Sequence, residues 1–243
     1  FSIMRTTTIP QMLEVINTNY NRKVEEGRFF EISYVYSPKD GEMLPDEKKI
    51  LTIGMYGNTD FYDIKGIVEQ LVLRMNIQNA EFIAEKNNPV FHPGKTAKVV
   101  IGDETAGYVG EIHPDVADNF ECPYDTYIAV LEIKTIVENA DMVREYKPLP
   151  RYPAVSRDIA VIISDDIPVK DIENALKSKG GKYLEEIRLF DVYRGEQVPE
   201  GKKSVAYTLN FRSPDRTLVD DDVNKVVEDM LNELKRVFDA VLR

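Results

Sequence analysis

Side chains that could act as nucleophiles, general acids or bases, or metal ligands are sparse in this sequence. It contains two histidines, His92 in FHPG and His113 in IHP, and one cysteine, Cys122. Neither histidine has a cysteine, a third histidine or clustered carboxylates at zinc-ligand spacing, and each precedes a proline, which favours a structural role in a turn. Cys122 has no nearby histidine to activate its thiol, and no phosphate loop, dinucleotide fingerprint or serine nucleophile motif is present. We therefore expect no catalytic residue, metal or cofactor in this chain.

One segment suggests binding instead of catalysis. Residues 183–194, YLEEIRLFDVYR, predict a strand. Its apolar side chains fall in two pairs of opposite parity: Ile187 and Leu189, then Phe190 and Val192. Successive side chains of a strand face opposite sides, so all four can face the core only if a bulge lies near Leu189–Phe190. Beyond such a bulge, Asp191 and Tyr193 point away from the core. The register without a bulge buries Asp191, which is unfavourable unless its carboxylate is paired.

The elements that surround this segment follow the order β-α-β-β-α-β. In chain order they are strand 157–163, helix 168–179, strand 183–194, strand 204–212, a helix whose apolar stripe runs from Val223 to Val237, and strand 240–243. This order is the split βαβ, or ferredoxin-like, arrangement, which places both helices on one face of a four-stranded sheet. The other face is then open.

An open sheet face is a surface on which several RNA-binding modules stack bases against aromatic side chains. Here Tyr193 and Asp191 would lie on that face beside Ala160 and Ala206. Two alanines leave room for a flat ring on the sheet. The alternative is that the open face only packs against a neighbouring domain, because a fold does not by itself define a function.

The part before residue 145 has a different pattern. It predicts helices at 9–21 and 63–75 and strands at 28–36, 49–56, 80–84, 96–101, 106–112 and 127–133. We expect an α+β domain with a largely antiparallel sheet and helices against one side of it. The segment 145–153, EYKPLPRYP, holds three prolines and predicts an extended linker.

Composition and charge restrict the class of protein. A chain of 243 residues is long enough for two domains, and its net charge is −11. Residues 1–150 hold 15 Lys and Arg against 24 Asp and Glu, whereas residues 151–243 hold 16 against 18. A candidate RNA surface is therefore expected only in the second part. The single cysteine fits a reducing cytosol, and no apolar run is long enough for a membrane span. Because the first residue is Phe1, we expect a piece of a longer protein.

Several stretches resemble a known family. In the first part they are MRTTTIP, EVINTNYNR, RFFEISYVY, DFYDIKGIVEQL, FHPGKTA and GYVGEIHPDV; in the second they are YPAVSRDIAV, LFDVYRGEQVPEGKKSVAY and FRSPDRTLVDDDV. Together they resemble the bacterial phenylalanine–tRNA ligase beta subunits over essentially the whole chain, as a C-terminal fragment. The second group is the more specific.

The resemblance implies three parts: a non-catalytic class II synthetase-like core at 1–145, a linker at 146–152 and a ferredoxin-fold anticodon-binding domain at 153–243. A catalytic class II core needs an arginine for the ATP phosphate and a glycine-rich turn carrying a second arginine. Ser37-Pro38 follows RFFEISYVY where the first arginine is expected, and YIAVLEIKTI contains no glycine. Without positioned cations, the charge that develops during adenylate formation is not stabilised.

The implied function is support of a catalytic alpha subunit, and binding of the anticodon region of phenylalanine tRNA, in a cytoplasmic aminoacyl-tRNA synthetase of two alpha and two beta subunits. The whole enzyme would use ATP and magnesium in protein biosynthesis, and this chain alone would be inactive. The alternative is a purely structural module for subunit assembly that does not contact RNA. Neither function involves a membrane.

The candidate RNA-binding residues belong to the second part. They are Tyr193 for base stacking, Asp191 as an acceptor for a base-edge donor, and five cations for phosphates: Arg157, Arg188, Arg194, Arg212 and Arg216. RNA binding predicts that Tyr193, Arg157 and Arg212 are exposed and clustered, whereas the structural alternative predicts that they are covered.

Overall fold

The computed structural model describes residues 3–143, 146 and 148–243. The chain divides into two compact units, Phe1–Glu145 (the first unit) and Tyr146–Arg243 (the second unit). None of the helices within the described ranges is long and apolar enough to cross a membrane.

The first unit is built on a six-stranded antiparallel sheet with the order β1-β2-β6-β5-β4-β3. Its strands are β1 (Gly27–Ser37), β2 (Asp46–Tyr56), β3 (Ala80–Ala84), β4 (Phe91–Ile101), β5 (Glu104–Ile112) and β6 (Tyr127–Glu132). Its helices are α1 (Ile9–Asn21), α2 (Phe61–Arg74), α3 (Pro114–Asn119) and α4 (Ile133–Glu138).

Helices cover both faces of this sheet. Helices α1 and α3 pack on one face, where Ile128 of β6 is buried, while α2 and α4 pack on the other, where Ala129 is buried. The expectation that the helices lie against one side only is wrong. Strand β6 is buried at consecutive positions, as expected when both faces of a strand are covered.

The second unit is a four-stranded antiparallel sheet with two helices. Its elements are β7 (Val155–Ser164), α5 (Val169–Lys179), β8 (Leu184–Tyr193), β9 (Lys202–Phe211), α6 (Asp220–Phe238) and β10 (Val241–Leu242). The strand order is β10-β7-β9-β8, which is the ferredoxin-like order. The α+β fold class, with two antiparallel sheets and a ferredoxin-like second unit, is confirmed.

One face of the second sheet carries both helices. Val223, Met230 and Leu234 of α6 are fully buried against Val205, Leu209 and neighbouring apolar side chains of β7 and β9. In these strands, the side chains of the opposite parity point to the other face of the sheet and are not part of this core. Within the described residues of the second unit, no helix covers that face, and we call it the open face.

Candidate nucleic-acid interface

Strand β8 contains the predicted bulge. Leu189 pairs with Tyr207 of β9, but Asp191, two residues on, pairs with the next residue, Ala206, so Phe190 is the extra residue. The bulge changes the parity of the strand, and Leu189 and Val192 both pack against the core. The expectation that Phe190 also faces the core is wrong, because the bulge turns its side chain outward, and it is 51% exposed.

The centre of the open face is flat. Ala206 of β9 pairs with Ala160 of β7 on one side and with Asp191 of β8 on the other. Directly paired residues share a face of the sheet, so these three form one row across it. In the adjacent row, Ser204 lies between Ile162 and Tyr193. Asp191 and Tyr193 therefore lie on the open face beside the two alanines.

The ring of Tyr193 is held by its surroundings. The guanidinium of Arg243 lies over the ring, 5.3 Å from its centroid, and the Arg243 Nη2 donates a hydrogen bond of 2.7 Å to Gln197 Oε1. The ring also lies close to Gly195, where a Cβ atom would come within 2.4 Å of the tyrosine hydroxyl. Tyr193 is 36% exposed, whereas Ser204 beside it is buried.

The other end of the open face is polar. The Thr208 hydroxyl donates to Asp158 Oδ1 at 2.7 Å, and the Asn210 amide donates to Glu186 Oε2 at 2.8 Å. Arg188 pairs with Thr208 across the strands, and its side chain is exposed and has no hydrogen bond or ion pair with any described residue. It is therefore free to meet an anion.

Charges on the open face are mixed. Its carboxylates are Asp158, Glu186 and Asp191, and its cations are Arg188, Lys202 and Arg243. A surface with balanced charge attracts a phosphate backbone weakly, so an RNA ligand on this face would need stacking and hydrogen bonds.

Arg157 and Arg216 do not lie near Tyr193. Arg157 pairs with the core residue Leu209, and its guanidinium donates to Asp220 at the start of α6, so it lies on the helix face. Arg216 makes two hydrogen bonds, of 2.6 and 2.7 Å, to Asp222 in the first turn of the same helix.

Arg194 and Arg212 are also engaged by carboxylates. Arg194 Nε lies 2.7 Å from Asp165 in the turn after β7. Arg212 Nε lies 3.0 and 2.9 Å from the two carboxylate oxygens of Glu185. Arg212 follows Phe211, which pairs with Leu184 at the far end of β8, roughly 30 Å from Tyr193 at 3.3 Å per residue. The expected cluster of Tyr193, Arg157 and Arg212 is not formed.

Arg243, like Lys202, is a cation of this face that the sequence did not reveal. Its position over Tyr193 follows from β10, in which Val241 pairs with Ile162, and from the hydrogen bond that the Arg243 amide donates to Ala160 O at 2.9 Å. A two-residue strand has no periodicity to reveal which way the next side chain points.

The first unit shows structural uses for its histidines and its cysteine. His92 Nδ1 accepts from the Gly94 amide at 3.0 Å, and His113 Nδ1 accepts from the Asp115 amide at 3.2 Å, where it caps α3. Burial raises the pKa of the Cys122 thiol to about 11, and the thiol contacts Leu13 O. Within the described residues, no group of three or more His, Cys, Asp or Glu is arranged to hold a metal ion.

A buried carboxylate in the first unit also escaped the sequence analysis. Glu111 of β5 is 7% exposed and accepts from Lys95 Nζ at 2.5 Å and from the Tyr127 hydroxyl at 2.8 Å. Burial, and then the hydrogen bond to Glu111, raise the pKa of Tyr127. Both donors satisfy the acid, so this cluster stabilises the sheet.

Family models account for most of the chain. Residues 1–133, more than half of the chain, match the model of the phenylalanyl tRNA synthetase beta chain CLM domain. The chain belongs to the phenylalanyl tRNA synthetase beta chain family. Residues 150–243, which contain the open face, match the ferredoxin-fold anticodon binding domain.

Curated relatives agree with the family. The phenylalanine–tRNA ligase beta subunit of Clostridium tetani is 47% identical over 244 residues, which are 100% of this chain and 31% of that protein. The subunit of the same name from Clostridium acetobutylicum is 45% identical over the same shares. The chain thus spans about a third of the length of the relatives that it matches. A solved pyrrolysyl tRNA synthetase from Desulfitobacterium hafniense is 14% identical, covers 55% of this chain and 48% of its own, and has a TM-score of 0.46, which is too low to inform the fold.

Proposed function

We propose that this chain is part of the beta subunit of a phenylalanine–tRNA ligase, and that the open face of its second unit binds the anticodon region of phenylalanine tRNA during ATP-dependent aminoacylation. The observation that carries the proposal is the row Ala160–Ala206–Asp191 beside Tyr193. A flat patch next to an aromatic ring is the surface on which a base can stack. This surface lies in the part of the chain that matches an anticodon binding domain.

Three of the candidate residues have a role on this face. Tyr193 stacks on a base with the side of its ring that Arg243 leaves free, and Asp191 accepts a hydrogen bond from a base edge. Arg188 neutralises a phosphate, because it is exposed and has no acidic partner among the described residues.

The other four candidate arginines are less available for contact with RNA, because each is paired with a carboxylate. Arg194, Arg212 and Arg216 can reach phosphates only beyond the edges of the face, and each already binds a carboxylate. Arg157 leaves the proposed site, because it is paired with Asp220 on the helix face.

The first unit supports a catalytic alpha subunit in this proposal. Alternate side chains of the edge strand β1 are exposed: Phe30 at 74%, Ile32 at 51% and Tyr34 at 44%. They lie on the same face as Leu51 and Ile53 and extend the apolar surface beyond α2. Exposed apolar side chains on a sheet edge fit burial by a partner subunit. Phe30→Asp should weaken association with the alpha subunit in a pull-down, while Tyr62→Asp on α2 should not.

Catalysis belongs to the alpha subunit in the proposed assembly of two alpha and two beta subunits in the cytoplasm. The whole enzyme binds ATP and magnesium. This chain supplies no cation for the adenylate at the positions discussed above, so the pure chain should show no phenylalanine-dependent exchange of pyrophosphate into ATP.

RNA binding is tested with a substitution that fills the flat centre of the open face. Ala160→Leu adds bulk without charge, so a base can no longer lie on the sheet. We expect this variant to bind the anticodon stem-loop of phenylalanine tRNA at least tenfold more weakly in a fluorescence anisotropy titration. Asn174→Leu on the exposed side of α5 is the matched control and should bind like the parent chain.

The structural alternative makes the opposite prediction. A face that only packs against other protein should show no specific affinity for the stem-loop, and Ala160→Leu should then leave the titration unchanged. Equal binding by both variants would therefore reject the proposed interface.

A further inference from the structure

A groove of about 330 Å³ lies in the second unit, at the end of the sheet opposite Tyr193. Three segments line it: Pro150–Arg151, Lys182–Glu185 and Arg212–Pro214. Apart from Arg212, none of the residues that line the groove is a candidate for RNA contact on the open face. Its volume lies within the range of about 300–1,000 Å³ that small-molecule sites occupy.

The walls of the groove are apolar. Pro150 and Pro214 come from two different segments, and Tyr183 and Leu184 come from the third. Rigid proline rings and an aromatic ring present flat surfaces, which suit a planar base. Among the uncharged residues that line the groove, only Tyr183 and Ser213 carry a side-chain hydroxyl that could contact the edge of a base.

Cations predominate among the charged residues of the groove. Arg151, Lys182 and Arg212 line it together with a single carboxylate, Glu185. This local excess of positive charge contrasts with the net charge of −11 of the chain. An anionic ligand is therefore favoured here.

The three cations differ in how firmly they are held. Arg212 is fixed, because Glu185 binds its Nε and the Tyr152 carbonyl accepts from its Nη1 at 2.7 Å. Arg151 has no hydrogen bond or ion pair within the described part of the chain. The Lys182 ammonium lies 4.8 Å from the centroid of the Tyr183 ring and likewise has no described carboxylate partner. Two cations thus remain available for a phosphate.

We propose that this groove binds one nucleotide unit, with the base against Tyr183 and the prolines and the phosphate between Arg151 and Lys182. Apolar side chains beside cations bind the plane of a base and its phosphate whatever the identity of the base, which favours a unit of an RNA strand. Because the groove lies roughly 30 Å along β8 from Tyr193, that unit is distinct from the base at Tyr193. The RNA assignment rests on the proposed function, whereas a free nucleotide has the same chemistry.

The first experiment removes the two available cations. Arg151→Ala/Lys182→Ala is compared with Lys177→Ala/Lys225→Ala, which removes the same charge from exposed positions on α5 and α6. Affinity for the anticodon stem-loop is measured at several salt concentrations. The slope of log affinity against log salt should become shallower by about 0.7–1.4 for the groove variant, because one or two phosphate contacts are lost. The control variant should change the slope less.

A second experiment separates RNA from free nucleotides. The rate at which acetic acid N-hydroxysuccinimide ester acylates Lys182 is measured by mass spectrometry, with Lys177 as the internal reference. The stem-loop should slow acylation of Lys182 by at least threefold and leave Lys177 unchanged. Adenosine 5′-monophosphate should protect Lys182 only at much higher concentration.

The outcomes separate this inference from the proposed function. In one outcome, Tyr193→Ala weakens RNA binding, but the groove variant and its control show the same slope of log affinity against log salt. The open face then binds RNA, and the groove is not a nucleotide site. If the chain does not bind the stem-loop but adenosine 5′-monophosphate protects Lys182, the site takes free nucleotides and its RNA assignment is wrong. Protection by neither ligand overturns the inference entirely.

Discussion

Gly195 leaves room for the side chain of Tyr193, the residue that we propose for base stacking. Any larger residue there would place a Cβ atom 2.4 Å from the Tyr193 hydroxyl, so the side chain of Tyr193 would have to shift. The Arg243 guanidinium contacts one face of the ring. A ring that is already oriented loses less conformational entropy when a base stacks on it, which favours binding.

Arg188 and Arg157 provide a matched pair of cations for a test at the residue scale. Both carry one charge, but Arg188 is free on the open face, whereas Arg157 is paired with Asp220 on the helix face. Arg188→Ala should reduce the slope of log affinity against log salt for the stem-loop by about 0.7–0.9, as expected for one lost phosphate contact. Arg157→Ala should leave the slope unchanged. Equal effects of the two substitutions would mean that the RNA does not distinguish the two faces.

The sequence contained the information needed to place Arg157 correctly. Arg157 has the same parity in β7 as Ile159, Val161 and Ile163, whose side chains form part of the core. Alternation alone therefore puts Arg157 on the helix face. Arg212 is different, because it lies beyond the last residue of β9, where alternation no longer applies.

At the scale of elements, β8 shows what parity can and cannot predict. The bulge at Phe190 followed from four apolar residues that could not all share one face. A second irregularity, between Leu184 and Glu186, was not predicted, because charged residues at 185 and 186 give no apolar pattern to interrupt. Helices α3 and α4 were missed because six residues are too few to show a helical period.

The start of α6 makes a prediction about pH. Hydrogen bonds from Arg216, and then from the Val219 amide, lower the pKa of Asp222 to about 2. A folded-state pKa below the unfolded value of about 3.9 means that the carboxylate stabilises the fold above that pH. The stabilisation is lost as the pH falls from about 4 to about 2.

Asp222→Asn should therefore lower the melting temperature at pH 6, and the difference from the parent chain should shrink toward pH 2. Asp221→Asn is the control, because Asp221 is an exposed neighbour in the same turn without a described hydrogen bond. A deficit in Asp222→Asn that stays constant from pH 6 to pH 2 would show that the carboxylate charge is not the cause.

At the scale of the whole molecule, the two units suggest a site of cleavage. We propose that residues 146–152 link them, since the segment holds Pro148 and Pro150, is followed by Pro153, and has 83% exposure at each of its described residues Tyr146 and Leu149. Brief digestion should cut after Tyr146 with chymotrypsin and after Arg151 with trypsin, and release a folded piece of the second unit. Mass spectrometry identifies the cuts. First cuts within the strands of either unit would contradict the linker.

The layers of the first unit were harder to predict than those of the second. Two helices and four strands in the order β-α-β-β-α-β allow few arrangements, so the second sheet and its open face could be predicted from the pattern. In the first unit, strands such as β6 are apolar at nearly every position, and such a run does not show which helix covers which face.

The measurement that tests the account most directly is made on Tyr193→Ala. Stacking on an aromatic ring contributes roughly 1–3 kcal/mol per base, so this variant should bind the anticodon stem-loop of phenylalanine tRNA about 5- to 150-fold more weakly. Tyr193→Phe keeps the ring and should bind almost like the parent chain. The melting temperature of each protein is measured on the same sample. We predict weaker binding by Tyr193→Ala with little change in melting temperature; a lower melting temperature with unchanged affinity would contradict the proposed interface.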